Sequence, residues 1–233
     1  MFPGEIKDKI HCSDCSVKSC AAAVLGFEEL ELITQNSMEA EFHKGDILIH
    51  EGSLNSNIIY LKSGLVKEYV KTPGDKEQIL QIIKKFSYLG LQSLFGDKAN
   101  HYSYAALENI KVCYIDVNLF NKLIKKNGEF AYQILVSVSR DSLNNFHRFM
   151  SQSQKKTYGK VADAILYFAK IVYESTEFDL PFTRQELADL IGISRESATR
   201  VLLKLREDGV VGVIDRHITI NNMELLQQIS RNG

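Results

Sequence analysis

Of the four cysteines in the 233 residues, Cys12, Cys15 and Cys20 crowd one segment, HCSDCSVKSC, and Cys113 stands alone far downstream. Four thiolates satisfy a tetrahedral zinc ion or an iron–sulfur cluster. Three ligands so close in sequence can wrap a metal through local turns, and a fourth at Cys113 would tie that segment to the domain carrying it. In a reducing compartment, clustered cysteines indicate metal or redox chemistry more often than structural disulfides. Zinc, an iron–sulfur cluster and a metal-free thiol switch all stay open on these residues. His11, beside the first cysteine, reads as a surface residue rather than a ligand. A thiol oxidoreductase built on Cys12 and Cys15 is disfavoured, because no βαβ pattern surrounds the pair and no general base or cofactor loop accompanies it. The chain does not read as an enzyme.

A second chemistry lies in FTRQELADLIGISRESATRVLLKLREDGVV. Thr183 and Glu186 form a capping box, in which the hydroxyl takes an orphan amide and the carboxylate reaches back to the cap. Leu187, Leu190 and Ile191 give that helix one apolar face, and Gly192 permits a sharp turn. Ser194 can cap the next helix, whose inner face is Ala198, Val201, Leu202 and Leu205. Helix, glycine turn and helix match the helix-turn-helix plan, whose second helix enters the DNA major groove. Its outer face carries Arg195, Glu196, Thr199 and Arg200. Arginine can take guanine O6 and N7 together, and glutamate can accept from cytosine N4. Between Ser194 and Arg206 there are four basic residues against one acid. The competing reading of this face is a solvated helix with a Glu196–Arg200 ion pair. After Gly209, VVGVIDRHITI alternates like a two-stranded wing, with Arg216 and His217 at its tip as candidate phosphate contacts.

These groups need elements to place them. From Met38 to about Asp116, short apolar or alternating runs are punctuated by Gly45, Gly52, Gly64 and Gly74, the pattern of an antiparallel barrel or roll. From about Val117 to Lys156 the period becomes helical. Ala131, Leu135, Val138, Ser142, Asn145 and Phe149 form a heptad-like seam able to pair with a twin helix, its polar centre fixing register at some cost in stability. The alternative is that this stripe packs only on its own domain. SQSQKKT, near residues 151–157, reads as a hinge before a mostly helical domain. Twenty-eight basic and 29 acidic side chains leave a net charge of −1, so nucleic-acid binding must come from a local patch. No apolar run approaches the ~18 residues of a membrane span. The first residues lack the plan of a signal peptide, and a cytoplasmic location is expected.

With these residues in view, the chain resembles the cAMP receptor protein / fumarate-and-nitrate-reduction regulator (CRP/FNR) superfamily over essentially its whole length. Lys44-Gly45-Asp46, Glu51-Gly52, Tyr60 and Ser63-Gly64 resemble the start of that family's β-roll, and TRQELADLIGISRESATR resembles its helix-turn-helix. The resemblance implies an α+β fold: an N-terminal antiparallel β-roll of the cyclic-nucleotide-binding, jelly-roll type, a long dimerisation helix and a C-terminal winged helix-turn-helix. The implied divisions are a cysteine-rich segment 1–30, a sensor 31–117, a dimer helix region 118–154 and a DNA-binding domain 155–233. The implied function is sequence-specific transcriptional regulation by a homodimer on a DNA palindrome with a TGA-type core. Glu196 and Arg200 match the family's glutamate and arginine that read that core. Arg195 sits where the cAMP receptor branch has its additional arginine, and Thr199 where the iron–sulfur branch carries serine. Contact with RNA polymerase is a further expectation.

In the cyclic-nucleotide branch a Gly-Glu turn followed by an arginine holds the cyclic phosphate and ribose. Here FSYLGLQSLFGDKANHYSYAA has no such glutamate and no arginine. Lys98 and His101 cannot supply a bidentate guanidinium grip, so cAMP binding is not expected. HCSDCSVKSC instead resembles the cluster-binding N-terminus of the fumarate-and-nitrate-reduction branch, with Cys113 where that branch has its fourth ligand. This implies a [4Fe–4S] cluster on Cys12, Cys15, Cys20 and Cys113 and an oxygen-responsive regulator. The gap between Cys15 and Cys20 is one residue shorter than in the best-known members, which leaves room for zinc or for thiols alone. The alternative is a regulator that senses an organic effector or thiol redox state without a cluster.

Overall fold

Short strands dominate the N-terminal half of the computed structural model, which describes residues 5–6, 11–54, 56–74, 76–96 and 99–233. Lys98 lies outside the described residues. The first elements are β1 (Glu5–Ile6), α1 (Cys20–Ala23), α2 (Phe27–Gln35), β2 (Ser37–Phe42), β3 (Ile47–Ile49), β4 (Asn57–Ser63), β5 (Leu65–Thr72) and β6 (Lys76–Lys84). They are followed by β7 (Ser87–Leu89), α3 (Leu91–Gly96), β8 (Ser103–Ala106), β9 (Ile110–Asp116), α4 (Val117–Lys126) and α5 (Gly128–Gln154). The roll consists of two sheets with strand orders β1-β2-β9-β4-β7 and β3-β8-β5-β6. Gly64 makes the turn between β4 and β5 at φ +83°, and a Cβ there would meet Ile110 Cγ2 at 2.6 Å and the Asn109 carbonyl at 3.0 Å. Only glycine fits both demands.

Strand alternation divides the apolar residues between two cores. Ile59, Leu61, Val112 and Tyr114 point into the roll with Phe42, Val66 and Tyr104. Ile58, Tyr60, Cys113 and Ile115 point the other way, under a helical cover formed by Leu30 and Ile33 of α2, Phe120 and Leu123 of α4, and Phe130 and Ile134 of α5. Asp116 caps α4 by accepting from the Leu119 amide at 2.8 Å, and Asn127 accepts from the Phe130 amide at 3.0 Å where α5 begins. Local side chains thus satisfy orphan amides at both helix starts.

The chain separates into two compact units, residues 1–70 with 80–143 and residues 71–79 with 144–233. The expected region 118–154 is therefore shared between them. The second unit continues with α6 (Thr157–Tyr167), a π-helical turn at Phe168–Val172, β10 (Glu177–Asp179), α7 (Arg184–Ile191), α8 (Arg195–Glu207), β11 (Val211–Ile214), β12 (His217–Ile220) and α9 (Met223–Asn232). A three-stranded sheet, β10-β12-β11, closes it. Phe168 is fully buried and packs its ring against Phe182 at 5.1 Å and Phe178 at 6.4 Å. Asp163 of α6 accepts hydrogen bonds from Ser151 of α5 (2.8 Å), Lys155 (2.7 Å) and Ser230 of α9 (2.9 Å).

α5 has two apolar faces. Phe130 and Ile134 are buried, and Val138 packs against the same cluster. Tyr132, Leu135, Leu143, Phe146 and Phe149 are exposed, Leu135 at 60% and Phe146 at 61%. The open stripe is rotated from the seam expected from the sequence. It keeps Leu135, Ser142 and Phe149, but Ala131, Val138 and Asn145 are half-buried and the centre is occupied by Leu143 and Phe146. The seam drawn from the sequence lies between the two faces because both supply apolar residues at helical spacing.

Candidate functional site

Strand register gathers the first candidate site. Across the outer face of the first sheet, Glu39 of β2 is opposite Cys113 of β9, Cys113 is opposite Tyr60 of β4, and Tyr60 is opposite Tyr88 of β7. Lys62, two residues beyond Tyr60, is buried and ion-paired to Glu39. Over this row lies the cysteine segment. Cys12, Cys15 and Cys113 line one cavity of about 50 Å³ together with Tyr60, Lys62 and Tyr88. Cys20 is exposed, at the first position of α1. His11 pairs with Glu31 at 3.2 Å, away from a ligand role.

Burial pushes the Cys113 thiol up to about 12, while the Ser37 hydrogen bond and the Lys62 charge pull in the other direction. As a ligand it must give up that proton, which coordination to a metal makes favourable. Burial likewise raises the Tyr60 and Tyr88 phenols, and the nearby thiols add to the effect: Cys15, Cys20 and Cys113 on Tyr60, and Cys113, Cys12 and Cys20 on Tyr88. Among the described residues, no three His, Cys, Asp or Glu side chains converge closely enough to hold a metal as placed. The donor set fits thiolate coordination in number and chemical type, and holding a metal would require the thiols to draw closer together, Cys20 from its exposed position included. Lys62, Glu39, Tyr88 and Thr34 escaped the sequence reading, because their approach to the cysteines depends on long-range strand and helix pairing.

The second site is the face of α8. The Thr183–Glu186 capping box opens α7, with the Glu186 amide donating to the Thr183 hydroxyl at 3.2 Å and the Thr183 amide to the Glu186 carboxylate at 2.9 Å. Gly192 ends α7 in the left-handed region at φ +65°, and Ser194 caps α8 through the Ser197 amide. With Ala198, Val201, Leu202 and Leu205 buried, Arg195, Glu196 and Arg200 face solvent. Among the described residues no ion pair engages Arg200 or Glu196, and the i,i+4 pair at the end of α8 joins Lys204 to Asp208. Glu196 is held below the ordinary carboxylate range by hydrogen bonds from its own backbone amide and Ser194. The Thr199 hydroxyl donates to the Arg195 carbonyl at 2.9 Å. Tyr158, unnoticed in the sequence, lines the same surface groove and donates to Asp208 at 3.0 Å.

In the wing, Arg216 is exposed at the hairpin tip. His217 is not free in the way expected of a phosphate contact. Its ring nitrogens lie 2.9 Å from Asp179 Oδ1 and 2.9 Å from Glu177 Oε1, both on β10. Two carboxylates flank the ring because β10 pairs antiparallel with β12, placing Asp179 opposite His217.

Known proteins with this arrangement are regulators. A family model for the Crp-like helix-turn-helix domain matches residues 159–229, and one for the cyclic nucleotide-binding domain matches residues 39–127. The chain is 28% identical over 227 residues to the fumarate and nitrate reduction regulatory protein of Vibrio cholerae, covering 94% of this chain and 90% of that protein. It is 26% identical over 230 residues to the anaerobic regulatory protein of Pasteurella multocida, covering 95% and 83%. The structure of FixK2 from Bradyrhizobium japonicum superposes with a TM-score of 0.76 at 17% identity, over 83% of this chain and 96% of that one. Among the described residues no helix is long and apolar enough to cross a membrane. Roll, long helix and winged helix-turn-helix define a DNA-binding transcriptional regulator rather than an enzyme. The chain carries the Crp-like helix-turn-helix and cyclic nucleotide-binding domains of CRP/FNR regulators, and its similarity along the whole length is to the FNR-like branch.

Proposed function

We propose that this regulator responds to oxygen or redox state through a [4Fe–4S] cluster held by Cys12, Cys15, Cys20 and Cys113. The observation that carries this reading is the shared cavity of Cys12, Cys15 and Cys113, thiols about a hundred positions apart in sequence. Four thiolates are the ligand set such a cluster takes, and the cluster would supply an oxygen-sensitive link between this segment and β9. Lys62 places one buried positive charge beside the thiols. Protein isolated and kept without oxygen is expected to be brown, to contain iron and sulfide, and to bleach in air. Colourless protein without iron after anaerobic reconstitution would end the cluster reading and leave DNA binding intact. The exposure of Cys20 favours a second reading, a thiol switch without metal, which would show instead as reversible oxidation of iron-free protein.

The same proposal places the output at α8. Arg195, Glu196 and Arg200 read a TGA-type half-site, the Thr199 methyl makes an apolar contact, and Arg216 meets phosphate. Family members act typically as dimers. In this chain the exposed stripe Tyr132, Leu135, Leu143, Phe146 and Phe149 supports α5 as the pairing helix, setting two reading faces about one DNA turn apart. Glu68, 3% exposed within the roll and hydrogen-bonded by Tyr104, opposes an anionic cyclic phosphate there, which supports a regulator independent of cAMP. As a DNA-binding regulator it is assigned to the cytoplasm, with RNA polymerase as a partner.

A further inference from the structure

The cysteine segment is fastened to the sensor by contacts that involve no metal. At its start, the Cys12 amide donates to Thr34 Oγ1 of α2 at 2.9 Å, and that hydroxyl donates in turn to the Leu30 carbonyl at 2.9 Å. In its middle, the Tyr60 hydroxyl of β4 donates to the Val17 carbonyl at 2.9 Å. Near its end, the buried Ser19 hydroxyl lies 2.6 Å from the Tyr88 hydroxyl of β7 and also caps α1 through the Ala22 amide at 2.9 Å. Ala21 and Leu25 then bury their side chains in the cluster that holds Tyr60 and Tyr88. Three separate elements therefore grip residues 12–19, and each grip satisfies a backbone or hydroxyl group that would otherwise be buried without a partner. Cys20 lies just beyond the last clip and faces solvent, whereas Cys12 and Cys15 are half-buried and Cys113 is buried.

We infer that Thr34, Tyr60 and Tyr88 are positioning residues that dock the cysteine segment on the sensor without any metal, leaving Cys20 as the one thiol of the four that stands open to solvent. The inference rests on the reading of the four cysteines as the input site and deepens it. Loss of a bound group would then not release the whole segment.

The test uses the full chain, reduced and metal-free, with 5,5′-dithiobis(2-nitrobenzoate) as the thiol probe. Wild-type protein should show one fast thiol, abolished by Cys20→Ser, two slow thiols, and a fourth that reacts only after denaturation. Tyr60→Phe and Thr34→Val should each speed the slow pair about five-fold, the factor expected for losing one net hydrogen bond. Thr34→Ser, which keeps the acceptor oxygen, should restore the wild-type rate. Far-ultraviolet circular dichroism should stay unchanged and the melting transition should fall by no more than the few degrees that one hydrogen bond is worth, which separates loss of docking from general unfolding. Should Thr34→Val fail to fold, Tyr60→Phe decides alone. Three fast thiols in the wild type, or slow-pair rates unmoved by both substitutions, would overturn the inference. Protein that takes up no iron on anaerobic reconstitution yet shows the one-fast, two-slow thiol pattern would end the cluster reading and keep the docking.

Discussion

Asp163→Ala should loosen the end of α5 from α6 and α9. The carboxylate accepts from Ser151 at 2.8 Å, Lys155 at 2.7 Å and Ser230 at 2.9 Å. Hydrogen bonds onto a buried charge are worth about 1.5–3 kcal/mol each, but this side chain is 41% exposed, so solvent screening applies. Allowing about 0.5–1 kcal/mol for each of the three gives a loss near 2 kcal/mol, with the buried Ser230 hydroxyl left short of an acceptor. For a unit of this size that corresponds to a fall of about 8–16 °C in its melting transition, read by calorimetry on the full chain. The pH dependence has a definite sign. Burial alone would raise the Asp163 carboxyl, but hydrogen bonds from Lys155, Ser151 and Ser230 outweigh it and hold the group below the ordinary carboxylate value. A depressed folded value means that the contribution is complete above the unfolded-chain value and disappears as pH falls through the folded one. The gap between wild type and Asp163→Ala should thus be constant from about pH 5 to 8 and close below about pH 4. Equal melting at neutral pH, or a gap that widens on acidification, would refute the reasoning.

The other expectations concern the output. Arg200→Ala should cost about 1–3 kcal/mol on specific DNA and relax discrimination at one base pair in competition binding; equal loss on random DNA would reassign it to phosphate. Phe146→Glu should shift the protein toward monomer in sedimentation analysis while leaving the winged unit folded, since its side chain is exposed on the open face of α5; an unchanged dimer would move the interface elsewhere. His217 is raised above the ordinary histidine value by hydrogen bonds to Asp179 and Glu177, so its contribution is present below the unfolded value and lost as pH rises through the folded one. His217→Ala should therefore melt below wild type in mild acid and converge with it in mild alkali, and an NMR titration midpoint at or below that of free imidazole would contradict the pairing.

What the sequence made legible follows the range of the interactions involved. The helix-turn-helix depends on contacts within four residues, namely the Thr183–Glu186 box, the left-handed Gly192 and the Ser194 cap, and all three are visible as residue types at fixed spacing. The roll was legible through alternation and glycine turns. The exposed stripe on α5 was legible only in part, because Phe130, Ile134 and Val138 on one side and Leu135, Leu143 and Phe146 on the other both keep helical spacing. Periodicity reports an apolar face but not what it faces. The carboxylate partners of His217 were hidden likewise, since Glu177 and Asp179 arrive through a strand pairing that no local pattern announces.

The cysteine site shows why long-range register matters most where function is placed. The outer face of β2, β9, β4 and β7 is otherwise an apolar floor for helices, as Ile58 and Ile115 demonstrate, yet along one row it carries Glu39, Cys113, Tyr60 and Tyr88, with Lys62 alongside. Polar side chains on a helix-covered face must find partners or destabilise the fold. A second hydrophobic helix could not supply them. An irregular segment with free carbonyls and hydroxyls can, and residues 12–19 meet Tyr60 through the Val17 carbonyl and Tyr88 through Ser19. The polar row and the loop above it therefore require one another, and the thiols of Cys12, Cys15 and Cys113 come together as a consequence of that match rather than through attraction between themselves.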